Sequence, residues 1–367
     1  MISLKNPIHD IIIIACYNND CLEKLWTWWK GIMDQDRMEL YRQLESIRKS
    51  KLLVYVTGDR RNLETQIHSE VLDYLINHLD AIGTVPKISL FLYTKGGHTL
   101  AAWSIANLIL QFCNEFEVII PAKAHSAGTL LSLGANNIIM TKQATLGPID
   151  PSVNTPLNPH IPEAPPDARV SVSVEAITGY IDLAKEIGIT DSEDVTKVFS
   201  DLSKNVHPLV LGQVFRTRSQ IRMLGRRLLS KHMDENIENI LSFLCSESGS
   251  HDYHIYRQEA RDELKLNVNA PTDEEYRIIK SIYDDVAEFL SISNPFVPDV
   301  MRGGRDEQEY ELPRAIIESV TGGSHVFISK GRLIKRQVVL DEKNNIVQEA
   351  TQDTRTYEGW IHERVEV

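Results

Sequence analysis

Between residues 51 and 141, apolar β-branched runs alternate with amphipathic stretches, and this alternation is the strongest constraint on the fold. Strands that alternate with helices at this spacing predict βαβ units in an α/β protein with a mostly parallel sheet. The strand runs are continuously apolar, as expected for a sheet covered on both faces. The predicted strands cover residues 52–57, 88–93, 118–122 and 137–141, and the predicted helices cover residues 64–79, 99–112 and 129–133.

Two of these predicted strands end in short motifs that each open a helical stretch. The first motif is Thr94-Lys95-Gly96-Gly97-His98, and the second is His125-Ser126-Ala127-Gly128-Thr129. A glycine pair at a strand end exposes backbone N–H groups, and a serine at the next strand end places a hydroxyl nearby. This arrangement is typical of a nucleophile beside an oxyanion hole, so the motifs indicate a serine hydrolase.

Composition narrows the functional classes. With 367 residues, of which 42% are apolar, the chain can bury a full core. The formal net charge is −12 and there is no basic run, so nucleic-acid binding is not expected. The four cysteines match neither a metal motif nor a disulfide framework, and the apolar run at residues 10–16 is too short to span a membrane. We therefore expect a reduced, cytoplasmic protein without stable membrane insertion.

Three further segments flank or follow the alternating region. Residues 1–50 have helix-forming composition and carry a tryptophan cluster at positions 26–29. Residues 150–169 are too rich in proline for regular secondary structure. The end of the chain contains strand-like runs separated by a polar turn. The sequence therefore predicts an N-terminal helical segment (1–50), a central domain (51–300) and a small β-rich C-terminal extension (301–367).

The motifs, taken in order, resemble those of a known family. Gly96-Gly97 and the 125–129 motif are followed by Leu146-Gly147-Pro148-Ile149-Asp150-Pro151, and further matching stretches begin at His207 and Ser250. The chain resembles the serine dehydrogenase proteinases, which belong to the Clp protease/crotonase superfamily and are related to signal peptide peptidase A. This resemblance implies a Clp/crotonase-like spiral of ββα units, peptidase ancestry, protein or peptide substrates and a homo-oligomer.

The motifs also indicate which residues carry the chemistry. Ser126 is the candidate nucleophile, because a serine at a strand-to-helix junction presents its hydroxyl outward; capping the helix is its alternative role. Gly96 and Gly97 would let backbone N–H groups approach a developing oxyanion, as the glycine pair of the family does. The N–H of Ala127 would be the second donor. An ordinary strand-to-helix turn is the alternative role of the glycines.

The general base is less well defined by the sequence. In Clp proteases a histidine lies on the strand beyond the helix that follows the serine, but residues 147–151 contain no histidine. The signal peptide peptidase branch instead uses a lysine from a later segment, and burial can lower the pKa of such a lysine. The candidate bases are Lys204 and His207, followed by Lys185. Asp150 either orients a base or caps a turn.

Three functions remain open on the sequence alone. The first is a serine endopeptidase that forms an acyl-enzyme and binds its substrate as an added strand beside Gly97. The second is a crotonase-like acyl-thioester enzyme, which the acidic composition and the serine disfavour. The third is a catalytically inactive interaction protein that retains the fold. No metal or other cofactor is expected, because the histidines and aspartate of residues 251–254 lack a further set of ligands at a defined spacing.

Overall fold

The computed structural model describes residues 36–149, 152–165, 167–341 and 346–363 of the chain. Its strands are β1 (Lys51–Thr57), β2 (Val85–Tyr93), β3 (Cys113–Ile120), β4 (Lys123–Ala124), β5 (Asn137–Met140), β6 (Thr145–Leu146), β7 (Ser152–Val153), β8 (Val172–Ser173), β9 (Ile255–Tyr256), β10 (Val268–Asn269), β11 (Glu307–Ser319), β12 (Gly323–Asp341) and β13 (Ile346–Glu363). Its helices are α1 (36–48), α2 (Val71–Ile82), α3 (Thr99–Ile109), α4 (Ala127–Ser132), α5 (Val174–Glu186), α6 (Ser192–Asn205), α7 (Pro208–Leu229), α8 (Ile237–Ser242), α9 (Arg257–Asp262), α10 (Asp273–Phe289) and α11 (Pro298–Arg302), with a π-helical turn at Phe243–Glu247.

An eight-stranded sheet forms the centre of the fold, in the order β10-β5-β3-β2-β1-β11-β12-β13. The five strands from β10 to β1 are parallel, and β11 to β13 continue the sheet antiparallel. The predicted α/β class with a mostly parallel sheet is confirmed. A smaller sheet of β4, β6 and β9 lies at the carboxyl edge of the parallel strands, and β7 pairs with β8.

Helices cover both faces of the parallel strands. On one face α2, α3, α4 and α7 bury a large apolar cluster that includes Leu75, Ile105 and Leu130. On the other face α1 and α10 bury a second cluster that includes Tyr41 and Ile282. Each strand sends alternate side chains to opposite faces, so the two clusters explain why the strand runs are continuously apolar.

Helix α1 is held to the sheet by buried charges as well as by apolar contacts. Arg37 is 1% exposed, and its guanidinium donates to Glu318 at 2.9 Å and to Asp285 at 2.7 Å. Arg48, at the other end of the helix, pairs with Glu117 and Glu275. Removal of one partner from such a buried pair typically costs 3–5 kcal/mol, so these contacts fix where α1 lies. The tryptophan cluster at positions 26–29 lies outside the described residues.

The helix predicted over residues 64–79 is wrong in its first half. The helix begins only at Val71, after a turn at residues 69–70, and Ile67 before that turn pairs with Gly97 in a parallel bridge. The helix predicted at residues 129–133 begins two residues earlier, at Ala127, which places Ser126 directly before it. The pairing of Ile67 is a tertiary contact that local composition does not reveal. The two-residue shift at Ala127 is the size by which helix ends ordinarily differ.

The C-terminal β addition is continuous with the main sheet. Strands β11, β12 and β13 have 13, 19 and 18 residues, and β11 pairs directly with β1 from Val54 to Thr57. Within the proline-rich segment, Ser152–Val153 forms a short strand, and the Asn158 side chain donates to the carbonyls of Val153 and Val170. These hydrogen bonds hold an otherwise irregular loop in place.

Candidate active site

Ser126 has a strained backbone at the junction of β4 and α4. Its φ is 53° and its ψ is −115°, a combination that few non-glycine residues adopt and that typically costs 1–3 kcal/mol. The side chain occupies the N-cap position but makes no capping hydrogen bond. Within the part of the chain that the structure describes, the half-buried Ser126 hydroxyl has no hydrogen-bond partner, so it is available to a substrate.

Gly96 brings the other motif directly against Ser126. A Cβ added at Gly96 would lie 2.8 Å from the Cβ of Ser126 and 3.3 Å from the Ala127 nitrogen. The φ of Gly96 is 119°, in the region that favours glycine. Position 96 therefore requires glycine twice, once for its backbone conformation and once for the close approach of the two motifs.

Gly97 is fixed by the extended segment that contains Ile67. The Ile67 N–H donates to the Gly96 carbonyl at 2.8 Å, and the His98 N–H donates to the Ile67 carbonyl at 2.8 Å. In a parallel ladder, successive residues direct their hydrogen-bonding groups to opposite edges, so the Gly97 N–H points away from Ile67. Among the described residues, neither this N–H nor that of Ala127 has an acceptor. Two unsatisfied backbone donors thus flank Ser126.

Thr129 ties helix α4 to the loop that follows β6. Its buried hydroxyl lies 2.8 Å from the carbonyl oxygens of Ala124 and Gly147, and it accepts from the Gly147 N–H at 3.0 Å. The hydroxyl carries a single hydrogen, which the two carbonyls share. This contact sets the distance between the Ser126 helix and the loop at Gly147.

His125 is neutral and held in place beside the candidate nucleophile. Burial, with a smaller contribution from the neighbouring His254, lowers the pKa of His125 to about 4. Its Nε2 lies 2.8 Å from the Thr145 hydroxyl, and its ring packs against that of His254 at a centroid distance of 5.0 Å. A Cβ at Gly147 would lie 3.3 Å from the His125 ring, so the glycine leaves room for the imidazole.

A charged cluster at the same edge of the sheet was not predicted from the sequence. Asp59 accepts from the Lys123 ammonium at 2.9 Å and from the Tyr93 hydroxyl at 2.7 Å, and the Lys95 ammonium lies 3.7 Å away. Burial by itself would raise the pKa of the Asp59 carboxyl, but Lys123 and Tyr93 lower it below its usual value. The sequence could have indicated this cluster, because each of its charged residues lies within three residues of the end of a parallel strand.

The three candidate bases lie on exposed parts of α5 to α7. The Lys185 ammonium binds Asp182 at 2.9 Å, and the Lys204 ammonium binds Asp201 at 2.7 Å. The Asp201 carboxylate raises the pKa of Lys204. His207 caps α7, where its Nδ1 accepts from the Leu209 N–H at 3.2 Å.

The structure brings Ser126, Gly96, Gly97 and Ala127 together. Among the described residues, no hydrogen bond joins Lys185, Lys204 or His207 to Ser126. Asp150 lies outside the described residues. The base therefore stays a prediction.

Two further findings concern the described residues alone. None of their helices is long and apolar enough to cross a bilayer. No group of three or more histidine, cysteine, aspartate or glutamate side chains among them could hold a metal ion.

These features define a class of α/β proteins in which a serine at a strand-to-helix junction meets glycine-held backbone N–H groups. A family model described as ClpP-like SDH-type serine proteinase matches residues 32–309, and the chain belongs to this family. SDH denotes serine dehydrogenase, so the resemblance drawn from the motifs is confirmed. The family is one of serine proteinases.

Similar proteins were found in curated sequences and in solved structures. One uncharacterized protein of Methanocaldococcus jannaschii is 30% identical over 208 residues, which cover 56% of this chain and 62% of the relative. A second from the same organism is 28% identical over 197 residues, which cover 53% of this chain and 57% of the relative. The match therefore spans less than two thirds of either relative.

Among solved structures, ClpP1 from Listeria monocytogenes has 14% identity and a TM-score of 0.33, covering 63% of this chain and 98% of that chain. A mutant of the 1510-N membrane-bound stomatin-specific protease in complex with a substrate peptide has 18% identity and a TM-score of 0.22, covering 60% of this chain and 94% of that chain.

Proposed function

We propose that this chain is a serine endopeptidase that cleaves peptide bonds through an acyl-enzyme on Ser126. Membership in a serine proteinase family supports a peptidase in general. The observation that carries the assignment to Ser126 is its unbonded hydroxyl on a strained strand-to-helix turn, next to two unsatisfied backbone donors. Backbone strain of this kind concentrates at functional sites, where it presents a nucleophile to the substrate.

In this proposal the oxyanion hole consists of backbone N–H groups. The Gly97 and Ala127 N–H groups donate to the oxygen of the tetrahedral intermediate, and Gly96 permits the close approach of the two segments. Donors that are fixed before the reaction need no reorganisation as charge develops, and the loss of one donor typically lowers kcat by about 10²–10³-fold. The pairing of Ile67 with Gly96 and His98 supplies that rigidity.

The general base in the proposal is Lys204 or His207, with Lys185 as the next candidate and Asp150 as an orienting group. A lysine acts as a base only as the free amine, so Lys204 would have to leave Asp201, which now raises its pKa. Each of the three candidate bases is exposed in this chain. Their hydrogen bonds now go to Asp182, Asp201 and the Leu209 N–H, so the base would have to leave its present partner to act on Ser126.

The substrate in the proposal is an extended protein or peptide chain, added as a strand at the edge of Gly97 opposite Ile67. Strand addition uses backbone hydrogen bonds and so tolerates many sequences. We also propose a cytoplasmic homo-oligomer. Helices α5 to α7 support this assembly because Leu183, Phe199 and Phe215 are 55%, 52% and 70% exposed, and apolar patches of this kind favour contact with another protein surface.

Hydrolysis of a denatured reporter protein tests the proposed function. We expect cleavage by the full chain and none by Ser126→Ala. Ser219→Ala is the matched control, because Ser219 is an exposed serine on α7 whose hydroxyl donates to the Phe215 carbonyl at 2.9 Å. Equal cleavage by the wild type and Ser126→Ala would exclude Ser126 as the nucleophile. No cleavage by the folded wild type would favour an inactive interaction protein.

A further inference from the structure

The eight-stranded sheet ends in two unlike edges. One edge is the two-residue strand β10, and so short a strand offers little backbone for pairing with another chain. The other edge is β13, which has 18 residues, no proline and no lysine. In the part of the chain that the structure describes, β13 pairs with β12 alone. An edge of this length is a template for a further strand unless its own residues block it.

The inner half of β13, from residue 356 onward, is blocked by its own residues. A register shift between Arg355 and Tyr357 leaves Thr356 as a bulge, and bulges on an edge strand oppose further pairing. The Tyr357 hydroxyl also donates to the Trp360 carbonyl at 3.2 Å. The outer half, residues 348–355, pairs regularly with β12 and has no bulge. The part of the edge that is open to another strand is therefore the outer half.

Alternate residues of the outer half direct their backbone groups away from β12. The Thr354 carbonyl oxygen points toward β12, because it lies 2.7 Å from the position that a Cβ on Gly331 would take. Successive residues of a strand direct their hydrogen-bonding groups to opposite edges. The outward N–H and C=O groups are therefore those of Glu349, Thr351, Asp353 and Arg355. Within the described ranges, no turn, loop or cap hydrogen bond uses these groups.

The outer half of β13 also lacks a third strand. Strand β11 pairs with β12 only as far as Ile334, which lies opposite Gln352. Beyond this point β12 and β13 continue as a two-stranded ribbon. Two strands alone are marginally stable in water, and a third strand stabilises them. A strand added at the open edge would therefore stabilise the ribbon.

The charges along the open edge select one way for it to pair with its own copy. In an antiparallel pair related by a two-fold axis, centring on Thr351 brings Glu349 against Asp353 of the partner subunit. Centring on Asp353 brings this carboxylate against its own copy, and like charges opposite each other are destabilising. Centring on Gln352 instead sets Glu349 opposite Arg355 of the partner subunit, and the symmetry makes this favourable pair occur twice. A centre two residues further along would place the open edge of one copy on the blocked half of the other.

Both members of this charge pair are ionised and accessible. Lys335 and Arg302 lower the pKa of the Glu349 carboxyl, so it is a carboxylate at neutral pH. The Arg355 guanidinium is 37% exposed and lies 3.1 Å from Glu358. Its planar fork of N–H groups leaves donors for a second carboxylate.

We propose that two copies of this chain join through the outer halves of their β13 strands, as antiparallel neighbours centred on Gln352. The contact continues the two eight-stranded sheets as one sheet. Each copy supplies the third strand of the other copy's ribbon, and Glu349 binds Arg355 of the partner subunit. This interface is separate from the α5 to α7 surface, and it does not depend on Ser126 being a nucleophile.

A disulfide across the two-fold axis tests the register. Gln352 would lie opposite its own copy in a pair that exchanges no hydrogen bonds, where the Cα atoms are about 4.5 Å apart and a disulfide can form. Gln352→Cys in the full chain should therefore give a covalent dimer on mild oxidation, seen as a doubled intact mass. Thr354→Cys is the matched control, because it is also exposed on the same face but would lie about 13 Å from its own copy. The wild type gives the background from the natural cysteines.

Either of two results in this experiment would overturn the proposal. The first is a yield of dimer in Gln352→Cys no higher than in the wild type. The second is an equal yield in Thr354→Cys, which would show collisions instead of a fixed register. Association through α5 to α7 alone predicts one of these two results, so the two interfaces are distinguished.

An exchange of charges tests whether the partner on this edge is a second copy. Glu349→Arg and Arg355→Glu each place like charges opposite each other, so each should weaken self-association at least about 10-fold, or 1.4 kcal/mol, in sedimentation velocity. In a mixture of the two variants every pair again has opposite charges, and association should return. The double variant with both substitutions should associate as the wild type does, which also shows that the substitutions permit folding.

The control for the charge exchange is Glu311→Arg. Glu311 lies on β11, where it pairs with Lys330 at 2.9 Å away from the open edge, so this variant should associate as the wild type does. Unchanged association in both single variants would overturn the proposal. A loss in both that the mixture does not restore would also overturn it, because the edge would then be occupied by another segment of the same chain or by a different protein.

Discussion

A side chain at Gly96 would place its Cβ 2.8 Å from the Cβ of Ser126. The two motifs that each end a parallel strand are therefore in direct contact, and their contact is reinforced by the bridge between Thr94 and Ala124. The backbone of one motif and the hydroxyl of the other meet at the carboxyl edge of the sheet. This is the edge at which open α/β sheets commonly bind their ligands.

Replacement of Gly97 should damage both activity and stability. In Gly97→Ala the new Cβ would lie 2.3 Å from the Ile67 carbonyl oxygen, and φ is 143°, so the pairing with Ile67 must shift. We expect at least about a 100-fold loss of kcat/KM, as for the loss of an oxyanion donor. Gly179→Ala on α5 is the control, because nothing lies within 4 Å of its Cβ, and it should stabilise the chain by up to about 1 kcal/mol. Full activity of Gly97→Ala would remove Gly97 from the mechanism.

Loss of the Thr129 hydroxyl should separate helix α4 from the Gly147 loop. Thr129→Val keeps the shape of the side chain but leaves the Gly147 N–H without its acceptor. We expect a loss of about 1–3 kcal/mol in the free energy of unfolding, measured by urea denaturation. Thr129→Ser keeps the hydroxyl, so its free energy of unfolding should fall clearly less than that of Thr129→Val. A larger loss in the serine variant than in the valine variant would show that the methyl group, and not the hydroxyl, holds this contact.

Lys204 can be compared with a matched lysine on the same helix. Lys204 and Lys197 are both exposed on α6 and both pair with an aspartate three residues earlier. If Lys204 is the base, Lys204→Gln should lower kcat by about 10²–10⁴-fold with little effect on KM or folding, while Lys197→Gln stays near wild type. Equal activity of the two variants would transfer the role to His207 or Lys185, each tested in the same way.

The stability of the chain should fall as the pH drops from about 6.5 toward 4 because of a buried histidine pair. His78 bonds the Ser319 hydroxyl at 2.8 Å and His325 at 2.9 Å, and burial lowers the pKa of His78 to about 4. The pKa of a histidine in the unfolded chain is near 6.5. Below this pH the unfolded state binds a proton that the folded state does not bind, so the free energy of unfolding decreases as the pH falls.

This pH dependence can be assigned to one side chain. Because the pKa of His78 is lower in the folded than in the unfolded state, His78 should reduce the free energy of unfolding by about 2 kcal/mol between pH 7 and pH 5. The difference in unfolding free energy between pH 7 and pH 5 should shrink by that amount in His78→Gln, whose amide does not titrate. The exposed His160 serves as the control, and His160→Gln should keep the wild-type difference. An unchanged difference in His78→Gln would show that His78 is not buried in its neutral form.

The parallel sheet and the contact between the two motifs could be predicted from local sequence. Parallel strands of one sheet end at the same edge. The glycine pair and the serine that follow two such strands therefore come together at that edge. The extended segment at Ile67 could not be predicted in this way. Its composition favours a helix, but the pairing with Gly97, thirty residues away, and the hydrogen bond from the Thr65 N–H to the Gly58 carbonyl keep it extended.

The same limit applies to the charges around the site. Asp59 and Lys123 are 64 residues apart in the chain, and their ion pair depends on the order of β1, β2 and β3 in the sheet. The general base is the least predictable part, because a lysine or histidine on a surface helix has the same local pattern whether or not it reaches Ser126. A base is recognised by its distance from the nucleophile and by its pKa, which both depend on tertiary structure.

Labelling with a fluorophosphonate tests the central claim most directly, because the reagent reacts with a serine only when the hydroxyl is activated. The full chain and Ser126→Ala are treated in parallel, and the adduct is measured by intact mass and located by peptide mapping. We expect one adduct, on Ser126, in the wild type and none in the variant. An adduct on another serine, or none on the folded wild type, would contradict the assignment of Ser126 as the nucleophile.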